Sequence, residues 1–219
     1  MASVHTEEGR RTGLKLFFWN LTHSFLNLVV LNMLFVLTCL PVVTIGAAAA
    51  AMSRICCQLT DGQHLIYPIQ EYWNSFKSNL KQGFVAELIC ILYMGMIFYG
   101  FEILNYRGNT SGTLRIILII ALLMFWMFAI YVFPQIGMLK LKMKQIVGNA
   151  WRLMLMRMPQ SFAAVLLCGA ALLGPLYLLP LSVVLYVFVL FSVCTLICSA
   201  FTWPGIRKYL VKNDGIERE

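Results

Sequence analysis

The sequence has few charged residues, and no polar stretch in it is long enough for a water-soluble domain of ordinary size. Soluble globular domains are about 25% charged and about 45–50% apolar, whereas this chain of 219 residues is 12% charged and 60% hydrophobic. Such a balance is typical of a protein with several membrane-spanning helices. The composition therefore excludes a soluble globular protein and predicts an all-α, polytopic transmembrane bundle in a single domain.

Motifs of catalytic and metal sites are also missing. The chain has no CxxC pair, no Cys/His cluster with zinc spacing, no glycine-rich phosphate loop, and neither a G-x-S-x-G nor an H-E-x-x-H motif. Its seven cysteines lie almost entirely within apolar stretches, where they act as small hydrophobic residues. We therefore expect no metal, no cofactor and no enzymatic activity.

Acidic residues are scarce, with 9 Asp and Glu against 17 Lys and Arg, so the formal net charge is +8. In a soluble protein this excess would favour nucleic-acid binding. In a membrane protein it indicates basic loops on the cytoplasmic side, next to anionic lipid. We expect the lipid bilayer as a partner and no nucleic acid.

Six segments are candidates for membrane spans. Five apolar runs are each close to the roughly 20 residues that a helix needs to cross about 30 Å of hydrocarbon: 21–40, 83–104, 114–138, 161–179 and 181–203. The sixth, 42–59, is only weakly apolar and contains Arg54. A cleaved signal peptide is rejected, because the first apolar run is longer than the 7–15 residues of a signal-peptide core.

The count of basic residues distinguishes the two topologies. Five spans would put 12 Lys and Arg on one side and 5 on the other, whereas six spans would put 14 inside and 2 outside, with Arg54 within a span. The positive-inside rule favours six spans, arranged as three hairpins with both termini cytoplasmic. The pairs Gly46–Ala50 and Ala47–Ala51 also suit close helix packing in a membrane. The five-span alternative, with 42–59 as an interfacial or re-entrant helix, stays open.

Proline and glycine mark the predicted turns, and aromatic and basic residues mark two predicted interfacial helices. Pro41, Gly46, Pro134 and Gly137 are the predicted turn and packing positions, with a kink expected at Pro134. The interfacial helices cover 72–84 and 140–157, and Tyr72, Trp73 and Phe76 should share a lipid-facing side. Their aromatic and basic residues include Trp73, Phe76, Lys77, Lys81, Lys140, Lys142, Lys144, Trp151, Arg152 and Arg157. Membrane anchoring is the favoured interpretation, and a docking surface for a partner is the alternative.

Charged residues inside the spans are predicted to pair, because each costs at least about 2.5–3.5 kcal/mol in hydrocarbon. We expect one ion pair between Arg54 and Glu87, with Asn27 nearby, at similar depth near the inner surface. A second pair is expected between Glu102 and Arg115 at the outer ends of their spans. A structural role is favoured over the alternative, in which Glu87 is a proton or cation site.

The stretches LNMLFVLTCLPVVTIGAAAAAM, FKSNLKQG, YVFPQIG and GNAWRLMLMRMPQSF resemble the YesL-like family of bacterial membrane proteins, over residues 17–205 or so. A proline often follows the glycine of LPVVTIG in that family, and here Ala47 takes its place. The resemblance implies a multi-pass protein of the bacterial cytoplasmic membrane that assists carbohydrate uptake, with sugar-permease subunits or a cytoplasmic regulator as partners. It supplies no catalytic residue. The alternatives are a small-solute transporter or channel acting as a homo-oligomer and, less favoured, a membrane enzyme.

Overall fold

The computed structural model describes residues 25–62, 67–106, 112–139, 141–174 and 186–213, and the regular elements in these ranges are helices. The α-helices are α1 (Phe25–Thr38), α2 (Ile45–Thr60), α3 (Pro68–Ser78), α4 (Leu80–Tyr106), α5 (Gly112–Met138), α6 (Met143–Met156), α7 (Met158–Leu173) and α8 (Phe191–Ile206). A 3₁₀ turn (Val42–Thr44) precedes α2, and π-helical turns (Tyr186–Leu190 and Arg207–Asn213) flank α8. The predicted all-α class is confirmed for this part of the chain.

Four helical stretches are long and apolar enough to cross a membrane, which supports the prediction of a membrane protein with several spans. They are Val42–Thr60, Leu80–Tyr106, Gly112–Met138 and Tyr186–Val211. A fifth arises if α6 and α7, which meet at 96°, form one broken span. The weakly apolar stretch 42–59 is thus among the candidates. Six spans are not confirmed, and parts of the predicted runs 21–40, 161–179 and 181–203 lie outside the described residues.

Helix α2 occupies the centre of the bundle and packs against α3, α4, α5 and α8. Its first turns are rich in glycine and alanine, and 11 of its 16 residues are buried. Small side chains allow helix backbones to approach closely, which is how helices associate when lipid provides no hydrophobic drive. The small residues of α2 therefore explain its central position better than its hydropathy does.

Helix α3 returns along α2 and determines where α4 begins. Pro68 occupies the first turn of α3, where its missing N–H costs nothing. The Tyr72 hydroxyl then lies 2.6 Å from the Thr38 hydroxyl, at the turn that leads into α2. After Asn79, α4 begins beside the first turn of α2. The six-span topology placed the starts of runs 42–59 and 83–104 at opposite membrane surfaces, whereas here they are in contact.

Helices α4 and α5 form a long hairpin. The Tyr93 ring stacks on Phe125 with centroids 4.6 Å apart, and its hydroxyl donates to the Ala121 carbonyl at 3.2 Å. At the other end of α4, the Gln82 side chain donates to the Leu141 carbonyl at 3.1 Å. Pro134 is buried within α5, which continues as a helix to Met138; the kink there stays a prediction.

Candidate functional site

Three glycines bring the helices around α2 into backbone contact. A Cβ atom on Gly46 would collide with the Gly83 carbonyl, and a Cβ on Gly137 would collide with the Ala50 carbonyl. A Cβ on Gly83 would lie 2.5 Å from the Ala47 amide nitrogen, far inside van der Waals contact. These contacts place the first turns of α2 and α4 and the last turn of α5 at one end of the bundle.

Glu87 is a buried carboxylate at this junction, with 6% of its surface exposed. Its Oε2 accepts a hydrogen bond of 3.1 Å from the Gly46 amide, and its Oε1 has no hydrogen-bond partner among the described residues. A negative charge is stabilised at the first turn of a helix by the free amides and the helix dipole. Glu87 thus attaches α4 to the start of α2.

The predicted ion pair between Arg54 and Glu87 is absent. Arg54 donates from Nη1 to the Gly137 carbonyl at 3.2 Å, in the last turn of α5. Because α3 returns along α2, Glu87 lies level with Gly46, about two helical turns from Arg54. Asn27, expected near the pair, is half-buried in the first turn of α1 and contacts neither charge. The assumption that 42–59 and 83–104 are consecutive antiparallel spans caused this error.

The second predicted ion pair, Glu102 with Arg115, is also wrong. Arg115 donates from Nη2 to the Asn105 side chain at 3.3 Å, and no ion pair joins it to Glu102 within the described part of the chain. Both charged side chains are exposed at the end of the α4–α5 hairpin. Asn105 lies nearly one turn closer to the connection between the helices, so the guanidinium reaches it first.

Asn32 is a buried polar group whose three hydrogen bonds all cross to another segment, and sequence reasoning missed it. Its Nδ2 donates to the Tyr186 and Val187 carbonyls at 2.9 and 2.6 Å, and its Oδ1 accepts from the Ser192 amide at 2.8 Å. These groups belong to the π-helical turn at the start of α8, where the regular ladder is interrupted. An asparagine in the middle of an apolar run was the signal available in the sequence.

A second polar cluster lies where α6 meets α7. The Tyr131 hydroxyl is 2.8 Å from the Ser161 hydroxyl, which donates to the Arg157 carbonyl at 3.0 Å. The half-buried Arg157 side chain lies directly on Gly205 in the last turn of α8. Its Nη1 is buried without a hydrogen-bond acceptor among the described residues.

The first interfacial helix is only partly as predicted. Tyr72 and Phe76 are buried inside the protein against α2, so the prediction that they face lipid together with Trp73 is wrong. Trp73, Lys77 and Lys81 are exposed, and the Lys77 ammonium lies 5.3 Å from the Trp73 ring centroid. Burial raises the pKa of the Tyr72 phenol. The reason for the difference is again the packing of α3 along α2.

The second interfacial helix, α6, buries one face and exposes its bases. Its buried face consists of Ile146, Ala150, Leu153 and Met154. Exposed on the rest of the segment are Lys142, Lys144, Trp151 and Arg152, while Lys140 lies outside the described residues. The amphipathic pattern of the sequence is therefore present in the structure.

A cavity of about 720 Å³ lies between α2, α5, α7 and α8. Apolar side chains line most of it, together with the hydroxyl groups of Ser53, Thr195 and Ser199. Three thiols also face it: Cys168, Cys194 and Cys198. No group of three or more His, Cys, Asp or Glu among the described residues could hold a metal ion. The lining suits an apolar ligand and offers few hydrogen bonds to a sugar.

One protein family matches part of the chain. The sequence model of DUF624, described as a protein of unknown function, matches residues 28–101. No curated protein and no solved structure matches the chain. The matched region runs from α1 through most of α4, so it contains the Gly46–Gly83 contact and the hydrogen bond between Glu87 and Gly46. The chain is similar to DUF624 proteins in the part of the bundle that surrounds the first half of α2.

Proposed function

We propose that this protein is a multi-pass, non-enzymatic accessory component of carbohydrate uptake in the bacterial cytoplasmic membrane. It acts by binding sugar-permease subunits or a cytoplasmic regulator, as the YesL-like resemblance implies. The observation that carries the proposal is that interior polar groups join one helix to another. Asn32, Glu87 and Tyr131 each join two helices, and none of them lines the large cavity. A bundle whose polar groups hold helices together is built to be rigid and to bind at its surface.

The contacts support the five-span topology, in which 42–59 is an interfacial or re-entrant helix, over the six-span one. With five spans, the start of α4, the ends of α5 and α8, and all of α6 lie on one side of the membrane, and α2 is held at that side. The Gly46–Gly83 contact fits this arrangement, and so does the 2.9 Å ion pair between Arg207, after the end of α8, and Asp61, after the end of α2. That side carries 12 of the 17 basic residues, so it is the cytoplasmic side and the N-terminus is outside. The six-span topology, with both termini cytoplasmic, is the alternative.

Cysteine labelling separates the two topologies. Single cysteines replace Ala2 and Asn109 in a cysteine-free variant, and a membrane-impermeant maleimide is applied to intact cells. Five spans put both positions outside, so both should be labelled. Six spans put them on opposite sides, so labelling of Asn109→Cys alone would overturn the five-span proposal.

The accessory role is tested by co-purification from the native bacterium in mild detergent. Recovery of sugar-permease subunits, or of a soluble regulator, supports the proposal. A triple change of Lys140, Lys142 and Lys144 to Gln should release a cytoplasmic regulator. Arg115→Gln is the matched control, because it removes one exposed base at the other end of the bundle. Recovery of the protein alone as a homo-oligomer would contradict the accessory role.

A transporter or channel acting as a homo-oligomer is the second candidate, favoured by the 720 Å³ cavity. Because its lining is mainly apolar, such a carrier would suit an apolar solute better than a sugar. Flux of a small apolar solute into liposomes that contain only this protein would support it.

A further inference from the structure

The segment where α6 turns into α7 carries positive charge that no acidic residue neutralises in the part of the chain that the structure describes. The sequence has no Asp or Glu between Glu102 and Asp214, and this stretch includes α5, α6, α7 and α8. Helix α6 packs mainly against α5 and α7, and neither of these helices has a carboxylate. The exposed bases of α6 are therefore available to a partner with negative charge from outside this part of the protein.

Arg157 points to the place where such a partner binds. It follows α6 directly and precedes α7, at the 96° bend between the two helices. Its Nη1 is buried and has no acceptor among the described residues, and an unsatisfied hydrogen bond of a charged group costs more than that of a neutral one. Guanidinium groups bind phosphate oxygens through a planar pair of N–H donors. Because Nη1 itself lies against Gly205, an anion at this bend would bind the half-buried guanidinium through its other N–H groups.

The exposed surface of α6 indicates that the anion is a lipid phosphate. Val147, Trp151 and Leu155 recur every fourth residue and are 41%, 49% and 49% exposed. They form an apolar stripe next to the buried face of the helix, with Lys144 on the same side and Arg152 beyond it. With α7 crossing the membrane, α6, which meets it at 96°, lies in the membrane plane with its apolar side among acyl chains and its bases at the headgroups.

We propose that the α6–α7 elbow, defined as α6, Arg157 and residues 158–161, binds the phosphate of an anionic phospholipid. Arg157 holds the phosphate, Lys144 and Arg152 contribute charge, and the apolar stripe lies among the acyl chains. A docking surface for an acidic protein would need the same bases, but it would not need the apolar stripe beside them. The proposal rests on the membrane insertion described above and is independent of the accessory role.

The test compares two lipids that differ only in the headgroup. The purified full-length protein in mild detergent is titrated with dioleoylphosphatidylglycerol or dioleoylphosphatidylcholine, and bound lipid is counted by native mass spectrometry. The wild-type protein should bind the anionic lipid more tightly, and salt should reduce the difference. Lys144→Gln and Arg152→Gln should each weaken anionic-lipid binding about fivefold, which corresponds to about 1 kcal/mol per base. Arg157→Lys should also weaken it, because the ammonium lacks the planar pair of donors.

The control variant is Arg115→Gln, which removes one exposed base at the far end of α5 and should leave lipid binding unchanged. Equal binding of the two lipids by the wild-type protein, or an equal loss in Arg115→Gln, would overturn the proposal. Binding of poly-glutamate that depends on Lys144 and Arg152, without a preference between the lipids, would identify a protein-docking surface instead. Because the exposed variants Lys144→Gln and Arg152→Gln do not disturb packing, the test stands even if Arg157→Lys is unstable.

Discussion

Helix α2, taken with the 3₁₀ turn before it, and helix α5 are both long and apolar enough to cross a membrane, yet they have opposite relations to the rest of the protein. In the candidate span that contains α2, 61% of the apolar stretch is buried inside the protein, whereas in α5 the buried share is 22%. Helix α2 consists largely of glycine, alanine, serine and cysteine, while leucine and isoleucine make up most of the first half of α5. The more apolar helix is thus the more exposed one.

The difference follows from the solvent. A helix that faces lipid needs long apolar side chains on every side, because hydrocarbon satisfies no polar group. A helix enclosed by other helices needs small side chains instead, so that several backbones can approach it. In this protein hydropathy therefore indicates contact with lipid, and small residues indicate burial. Substitutions should accordingly be costly around α2 and tolerated on the α4–α5 hairpin.

The largest effect is expected from a side chain added at the contact with α2. Gly83→Leu would force a Cβ into the Ala47 backbone, and neither helix can move away without disturbing the whole bundle. We expect loss of folded, monodisperse protein in size-exclusion chromatography. Gly95→Leu is the matched control in the same helix, since a Cβ there has no atom within 4 Å. Equal yields of the two variants would contradict the central packing of α2.

A matched pair of isoleucines tests the comparison directly. Ile55 in α2 is fully buried and Ile117 in α5 is half-exposed. Ile55→Ala should lower the free energy of unfolding by about 3 kcal/mol through lost contacts and a cavity. Ile117→Ala should change it by less than about 1 kcal/mol, because detergent or lipid fills the space. Unfolding of both variants in one detergent provides the measurement, and similar losses would show that α5 is not lipid-exposed.

Asn32 should matter more than an asparagine elsewhere on the same helix. Asn32→Leu removes three hydrogen bonds to the turn that begins α8, at an expected cost of about 2 kcal/mol. Asn27 lies one and a half turns earlier, and Asn27→Leu removes no hydrogen bond to any residue that the structure describes. Thermal unfolding of the two variants measures the difference. A larger loss of thermal stability in Asn27→Leu would mean that the hydrogen bonds of Asn32 are not what holds α1 to α8.

Much of the fold was predictable from the sequence because it depends on local composition. Apolar length gave the long helices α4 and α5, and the alanine-rich stretch gave α2 as a helix packed inside the protein. The register between helices was not predictable, since it depends on α3, an 11-residue helix whose direction no charge or hydropathy pattern reveals. The Arg54–Glu87 prediction assumed the wrong register and failed for that reason, whereas the Glu102–Arg115 prediction failed because Arg115 binds Asn105 instead. Gly46 and Gly137 were identified because small residues in a membrane bundle usually mark close packing between helices.

The smallest effect is expected at Glu87, and it distinguishes the two accounts of this residue. If Glu87 formed a buried ion pair with Arg54, removing its charge would leave the guanidinium unpaired and cost about 3–5 kcal/mol. In the structure Glu87 accepts a hydrogen bond from the Gly46 amide, and the side-chain oxygen of glutamine can do the same. Glu87→Gln should therefore lower the free energy of unfolding by less than about 1 kcal/mol. Glu87→Ala removes the acceptor and leaves a buried amide unsatisfied, so it should cost more, about 1–3 kcal/mol. A large loss in Glu87→Gln, measured in the same detergent, would restore the ion pair and with it the antiparallel register of 42–59 and 83–104.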